Sequence, residues 1–269
     1  MLHFYKGDID RYDALTEYNK AIDKAERLCS NGCRYALFGT RRRFSFAHED
    51  LVTKASVEVN GDGFDGRCTG TSNVFFAMKY NLPIIGTMAH EFVCAIAAMY
   101  GVVEANHIAM QKWQDTYDGA LGIFLYDTYT WKAFDNNFSE HFARCFSGLR
   151  IDSGDNIEQY NKIIKKYEEL NVPIIGKQII FSNALKVQDA IDLQQQLGDK
   201  KASISFGIGT NLSCDVNGAE PSNIVIKLVA AKITEKREFN DTCKISEDKG
   251  KITGNSEIVN VFKKTLHIK

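Results

Sequence analysis

The sequence predicts an α/β chain in which parallel strands alternate with amphipathic helices and curl into a closed or nearly closed barrel, with an appendage at the C-terminal end. Short apolar runs recur between helix-period segments, from Arg34-Tyr-Ala-Leu-Phe38 to Ala202-Ser-Ile-Ser-Phe206. That rhythm marks buried parallel strands joined by crossover helices. Seven or eight such runs favour a barrel over an open sheet, and no GxGxxG follows the first strand as a dinucleotide sheet would require. Hydrophobic residues make up 44% and charged residues 25%, the balance of a globular chain with a substantial core.

The elements follow in order. Ile9, Tyr12, Leu15, Tyr18, Ile22, Ala25 and Leu28 give a helix over 9–29, stopped by Asn31-Gly32. A strand over 34–38 and a helix over 47–59 come next, and the GDGFDG run at 61–66 is a turn. Asn81-Leu-Pro-Ile-Ile-Gly86 recurs as Asn171-Val-Pro-Ile-Ile-Gly176, each after a helical stretch (71–80 and 157–170). Both phrases are expected as buried strands ending in glycine, through a repeated βα scheme or by local convergence. Further strands are expected at 121–126, 145–150, 202–206 and 223–228, and helices at 91–100, 106–115, 131–143, 157–169 and 185–197. The expected division is a helical segment over 1–33, the barrel over 34–228 and the Lys-rich appendage over 229–269.

Charge and cysteine content exclude several classes. Lys+Arg 33 against Asp+Glu 34 gives a net charge of -1, so no global positive field attracts nucleic acid. No apolar run approaches the roughly 20 residues of a membrane span, and the first residues lack the pattern of a secretory leader. Seven scattered cysteines fit reduced thiols and a cytoplasmic location.

Polar residues follow each expected strand: Gly39-Thr-Arg-Arg-Arg43, Gly86-Thr-Met-Ala-His-Glu91, Asp127-Thr128, Ile151-Asp-Ser-Gly-Asp155, Ser182-Asn183 and Gly207-Ile-Gly-Thr-Asn211. On an α/β barrel the C-terminal strand ends share the face that carries active sites, so six such clusters predict an enzyme. Arg41, Arg42, Arg43 and Arg150 suit carboxylate or phosphate oxygens. Arg42 and Arg43 equally suit solvated or salt-bridged roles. Gly207, Gly209 and Thr210 can offer backbone N–H groups to a phosphate or simply make a tight turn. Asp127, Asp152 and Asp155 suit Mg²⁺ with a polyphosphate or a developing positive charge. Asp155 is also placed to cap the next helix. Together these residues point to a phosphorylated, anionic substrate handled with a cation.

Phe38-Gly-Thr-Arg-Arg-Arg43, Gly70-Thr-Ser-Asn73, Gly86-Thr-Met-Ala-His-Glu91, Leu149-Arg-Ile-Asp-Ser-Gly-Asp155, Phe181-Ser-Asn183 and Phe206-Gly-Ile-Gly-Thr210 resemble, in order, the motifs of nicotinate phosphoribosyltransferases. The resemblance implies a type II phosphoribosyltransferase-like irregular (β/α) barrel. It implies a ligase-type enzyme that joins nicotinate to 5-phosphoribosyl 1-diphosphate in NAD biosynthesis, coupled to ATP hydrolysis through a phosphohistidine. His90 matches the phosphorylated histidine, Arg41 the arginine at the pyridine carboxyl group, Phe38 the ring-stacking aromatic and Ser72 a ring-side position. Arg150, Asp152, Gly209 and Thr210 match the phosphoribosyl face, with Asp127 near the ribose; Ser182, Asn183 and Gly207 complete the expected substrate-binding set. His90, Asp152 and Asp127 form the expected catalytic set, and Mg²⁺ and ATP the expected cofactor and co-substrate. A homodimer or higher homo-oligomer is implied, with no nucleic-acid or membrane partner.

The family carries an N-terminal domain ahead of the motif at Phe38. The expectation is therefore a fragment, a misplaced start or a truncated paralogue that binds phosphoribosyl diphosphate with weak or no turnover, leaving apolar surface uncovered. Quinolinate- and nicotinamide-type transferases are the neighbouring alternatives. Arg41 with Ser72 favours an acid over the amide, because a carboxylate in place of Ser72 would repel it.

Overall fold

The structure, a computed structural model, describes residues 5–6, 12–198 and 202–268. In chain order its first elements are β1 (Tyr5–Lys6), α1 (Ala14–Ser30), β2 (Arg34–Leu37), α2 (Phe46–Val59), β3 (Arg67–Thr71) and α3 (Val74–Tyr80). Next come α4 (His90–Tyr100), α5 (Ala105–Tyr117), β4 (Ile123–Leu125), α6 (Thr130–Asn137), α7 (Glu140–Cys145), β5 (Gly148–Ile151) and α8 (Asn156–Glu169). The rest are β6 (Gln178–Phe181), α9 (Val187–Leu197), β7 (Ser203–Ile208), α10 (Thr210–Ser213), β8 (Glu220–Pro221), β9 (Ala230–Ala231), β10 (Asn240–Asp241) and α11 (Ser256–Thr265).

Two compact units divide the chain. One comprises Met1–Gly86 with Ile180–Val225, the other Thr87–Ile179 with Ile226–Lys269. In the first unit, β2 pairs parallel with β3 on one side and with β7 on the other, Tyr35 opposite Phe206 and Leu37 opposite Ile208. The second half of β6 lies beside β7. The stacked rings of Phe181 and Phe206, 5.9 Å apart, fill this layer. Helix α1 packs on α2 and α9, and its Asp13 cap accepts the Thr16 N–H at 3.1 Å.

In the second unit, β4 pairs parallel with β5, Ile123 opposite Gly148 and Leu125 opposite Arg150. Phe124, Phe134, Phe142 and Phe146 are fully buried around that pair. Apolar burial on this scale is the main stabilising term, roughly 1.5–3 kcal/mol for each large side chain. Among the described residues no single helix is long and apolar enough to cross a membrane.

Several expected elements differ. Helix α1 begins at Ala14 rather than residue 9, because Asp13 caps it; residues 9–11 lie outside the described set. The strand Arg67–Thr71 replaces the start of the helix expected over 71–80. The helix expected over 131–143 breaks at Phe138-Ser139, where Ser139 caps a new one.

Neither Pro-Ile-Ile-Gly phrase is a buried strand: Ile84 is 65% exposed and Ile175 82% exposed. The repeat is a helix stop. Asn81 (φ 51) and Asn171 (φ 52) are both left-handed. The next N–H reaches back five residues, Leu82 to the Ala77 carbonyl at 2.9 Å and Val172 to the Tyr167 carbonyl at 3.0 Å. That is a Schellman closure, with asparagine tolerated in place of glycine and proline preventing any continuation. The strand expected over 223–228 is also absent. Its residues are half-buried or exposed and run as irregular chain.

Candidate functional site

The second unit holds a cluster of buried polar groups around His90, Asp127, Thr128 and Ser153. Strands β4 and β5 run parallel, so the segments that follow them leave at the same end. Asp127 and Thr128 come from the first, Asp152 and Ser153 from the second. Helix α4 begins with His90. His90 Nδ1 lies 3.0 Å from Thr128 Oγ1, and Nε2 lies 3.3 Å from Asp152 Oδ2. Arg150 Nη2 donates to Asp152 Oδ1 at 3.0 Å, and its Nη1 donates to Thr87 Oγ1 at 2.7 Å.

Burial alone would push the Asp152 carboxyl up. The hydrogen bond from His90 and the charges of Arg150 and Lys244 outweigh it and hold the group well below the usual carboxylate range. An ionised Asp152 accepts the Nε2–H; in the neutral imidazole the lone pair then lies on Nδ1, beside Thr128.

Asp127 is fully buried. Its Oδ2 accepts from the Ser153 hydroxyl, while Oδ1 accepts no hydrogen bond among the described residues. One ligating atom each from His90, Asp127 and Asp152 falls within 4.8 Å of the others. An orphaned carboxylate oxygen beside a second carboxylate is a donor set that a hard divalent cation fits.

The 226–269 segment brings cations to this cluster. The Ile245 N–H donates to the Thr128 carbonyl at 3.0 Å, which puts Lys244 against the group. Burial pushes the Lys244 ammonium down, opposed by Asp127 and Asp152. Lys251 Nζ donates to the Asp152 carbonyl at 2.7 Å, and Lys227 Nζ to Glu91 Oε1 at 2.9 Å. None of these three lysines carried a role in the sequence analysis.

The first unit gathers a second set at the ends of β2, β3 and β7. The Phe38 N–H donates to the Ile208 carbonyl at 2.8 Å. A Cβ on Gly207 would stand 2.6 Å from the Phe38 ring, so glycine here makes room for that ring. Ser72 Oγ donates to the Leu37 carbonyl at 3.0 Å and lies 3.4 Å from Thr40 Oγ1. Arg41 is exposed on the short turn Thr40–Arg42, whereas Arg43 pairs with Glu49 at 3.3 Å.

Gly209 and Thr210 open the four-residue α10, where the Gly209 carbonyl accepts the Leu212 and Ser213 N–H groups. Ser182 and Asn183 stand half-buried after β6. Asp155 caps α8 through the Glu158 N–H at 2.8 Å, the capping alternative of the two weighed for it.

The model of the nicotinate phosphoribosyltransferase (NAPRTase) family matches residues 33–269. A nicotinate phosphoribosyltransferase of Desulforapulum autotrophicum is 40% identical over 238 residues, covering 88% of this chain and 59% of that protein. Nicotinate phosphoribosyltransferase 1 of Pseudomonas aeruginosa is 41% identical over 215 residues, 80% of this chain and 51% of that protein. The crystal structure of nicotinate phosphoribosyltransferase from Porphyromonas gingivalis superimposes with a TM-score of 0.89 at 40% identity, over 96% of this chain and 65% of that one. A putative Saccharomyces cerevisiae enzyme of the same name gives a TM-score of 0.86 at 34% identity, over 96% of this chain and 64% of that one. This chain thus spans only part of the length of these relatives, while sharing their phosphoribosyltransferase-like (β/α) fold. With the ordered motifs, the strand-end clusters and the matching structures in agreement, the chain belongs to the nicotinate phosphoribosyltransferase family.

Proposed function

We propose that the chain forms nicotinate mononucleotide and diphosphate from nicotinate and 5-phosphoribosyl 1-diphosphate, with ATP hydrolysis coupled through phosphorylation of His90. The observation that carries this reading is His90 held between Thr128 Oγ1 and the ionised Asp152. Asp152 retains the Nε2 proton, so Nδ1 is the nucleophile toward the ATP γ-phosphoryl group. The P–O bond to ADP breaks as the N–P bond forms, and water later releases phosphate from the imidazole.

In the transfer step the pyridine nitrogen bonds to C1 of the ribose as the C1–O bond to diphosphate breaks. The unprotonated pyridine nitrogen needs no general base. Positive charge develops at C1, and the Asp127 and Asp152 carboxylates are the groups of this unit able to stabilise it. Arg150 and Lys244 offset phosphate charge. Asp127 and Asp152 would hold Mg²⁺, which supplies charge neutralisation for a bound diphosphate. Phe38, Arg41 and Ser72 are assigned to the pyridine, and Ser182, Asn183, Gly209 and Thr210 to the phosphoribosyl group. A homodimer or higher homo-oligomer is part of the same reading, as is a cytoplasmic location, the latter supported by seven free cysteines.

The test is product formation from nicotinate, nicotinamide and quinolinate, each with phosphoribosyl diphosphate and Mg²⁺, with and without ATP. Nicotinate-specific product that rises with ATP is the expected result. Absence of product with all three pyridines overturns the catalytic reading. Phosphoribosyl diphosphate binding without product would assign a binding role instead.

A further inference from the structure

We propose that Glu49 is a positioning residue for the pyridine-carboxylate end of the site, tying the loop after β2 to the loop after β3. The inference rests on the reading under Proposed function, which places Phe38, Arg41 and Ser72 at the pyridine.

Glu49 lies in the first turn of α2 and is 3% exposed. Both of its carboxylate oxygens are engaged. Oε1 accepts from Thr40 Oγ1 at 2.5 Å. Oε2 accepts from Asn73 Nδ2 at 3.0 Å and pairs with Arg43 Nη1 at 3.3 Å. Thr40 and Arg43 bracket Arg41 in sequence, and Asn73 directly follows Ser72. Arg43 Nη1 also donates to the Thr40 carbonyl at 3.2 Å, which closes the first loop on itself. Asn73 has no freedom to turn away, because its Oδ1 caps α3 by accepting the Phe75 N–H at 3.1 Å. One carboxylate therefore sets the separation between the Arg41 turn and Ser72.

The chemistry favours a positioning role over plain packing. Burying a carboxylate is costly, and an apolar side chain of similar size fills the same volume at no such cost. What the carboxylate adds is a fixed orientation for three donors carried by two different loops. Reading a flat carboxylate needs that precision, since a guanidinium discriminates acid from amide only when its fork is aligned.

The experiment measures nicotinate and phosphoribosyl diphosphate binding by calorimetry, with thermal melts, for the parent chain, Glu49→Ala, Glu49→Gln and Thr40→Val. Glu49→Ala is expected to weaken nicotinate about tenfold and phosphoribosyl diphosphate less than about twofold. Glu49→Gln keeps an acceptor for Thr40 but loses the charge facing Arg43, and is expected to recover part of the loss. Thr40→Val leaves Glu49 in place and is expected to weaken nicotinate about threefold, which covers the case of an unfolded Glu49→Ala. Equal weakening of both ligands, or a lowered melting temperature with nicotinate affinity unchanged, overturns the proposal. A parent chain that binds phosphoribosyl diphosphate but no nicotinate overturns the pyridine assignment together with it. A parent that binds both, with variants that bind both equally well, overturns the Glu49 role alone.

Discussion

His90 Nε2 lies 3.3 Å from Asp152 Oδ2, and the second oxygen of that carboxylate is held by Arg150 at 3.0 Å. The imidazole is thus oriented by a carboxylate that is itself oriented, the arrangement of an activated nucleophile and its supporting group. Asp152→Asn is expected to lower transfer of the ATP γ-phosphoryl group to His90 by about a hundredfold, with the fold intact. Retention of labelled phosphate on the protein, acid-labile in the parent and absent in His90→Ala, measures it.

The same carboxylate makes a pH-dependent contribution to stability. Its folded-state pKa is depressed, so the contribution is present above the ordinary aspartate range. It is lost as pH falls through that range toward the folded value. The melting-temperature difference between parent and Asp152→Asn is therefore expected to shrink steadily as pH drops below about 4.

His48 acts in the same direction over a higher pH interval. It is buried beside Lys20 and Lys24; burial first, and then those two charges, push its pKa down to about 4. Between that value and the unfolded one the unfolded chain binds more protons, so stability falls as pH drops from about 6.5 toward 4. Melting curves of His48→Gln, compared with the parent over that interval, should show a shallower slope.

Lys244 faces two carboxylates from a buried position. Lys244→Met removes the charge and keeps most of the stem. It is expected to reduce ATP stimulation of product formation about tenfold or more, because a phosphoryl group beside Asp127 and Asp152 loses its counter-charge. Comparing rates with and without ATP isolates the effect.

Gly207→Ala forces a methyl group to 2.6 Å from the Phe38 ring. The expected cost is about 1–3 kcal/mol of stability, with weaker nicotinate binding as the ring is displaced. Chemical denaturation and a nicotinate titration read the two effects separately.

The buried polar cluster is legible in the sequence because parallel strands share a direction: polar residues after β4 and β5 must emerge together, whatever the loops do. His90 could be placed by its position at the head of a helix. Lys244 could not, because its place depends on the Ile245 N–H reaching the Thr128 carbonyl, a contact between distant parts of the sequence. Glu49 was hidden for a similar reason, as an ordinary acidic residue in a first helical turn. The strand Arg67–Thr71 carries no strand signal in the sequence, because Arg-Cys-Thr-Gly-Thr has little apolar character. The Pro-Ile-Ile-Gly phrases misled in the other direction. Their composition is that of a buried strand, yet the deciding residue is the left-handed asparagine in front of each. The 223–228 run has strand-forming side chains but no partner strand among the described residues, and composition alone does not supply one.

The pairing of β2 with β7 has a consequence for how the chain is made. Tyr35 sits opposite Phe206, so the early segment must wait while most of the polypeptide is still being synthesised. At roughly 5–20 residues per second that delay is on the order of ten seconds or more. Throughout it, one side of β2 presents unpaired N–H and carbonyl groups to the surrounding solution. A ribosome-bound intermediate of this chain therefore carries an open strand edge for far longer than the microseconds in which its helices form. That interval is when holding factors, or aggregation, would act on it.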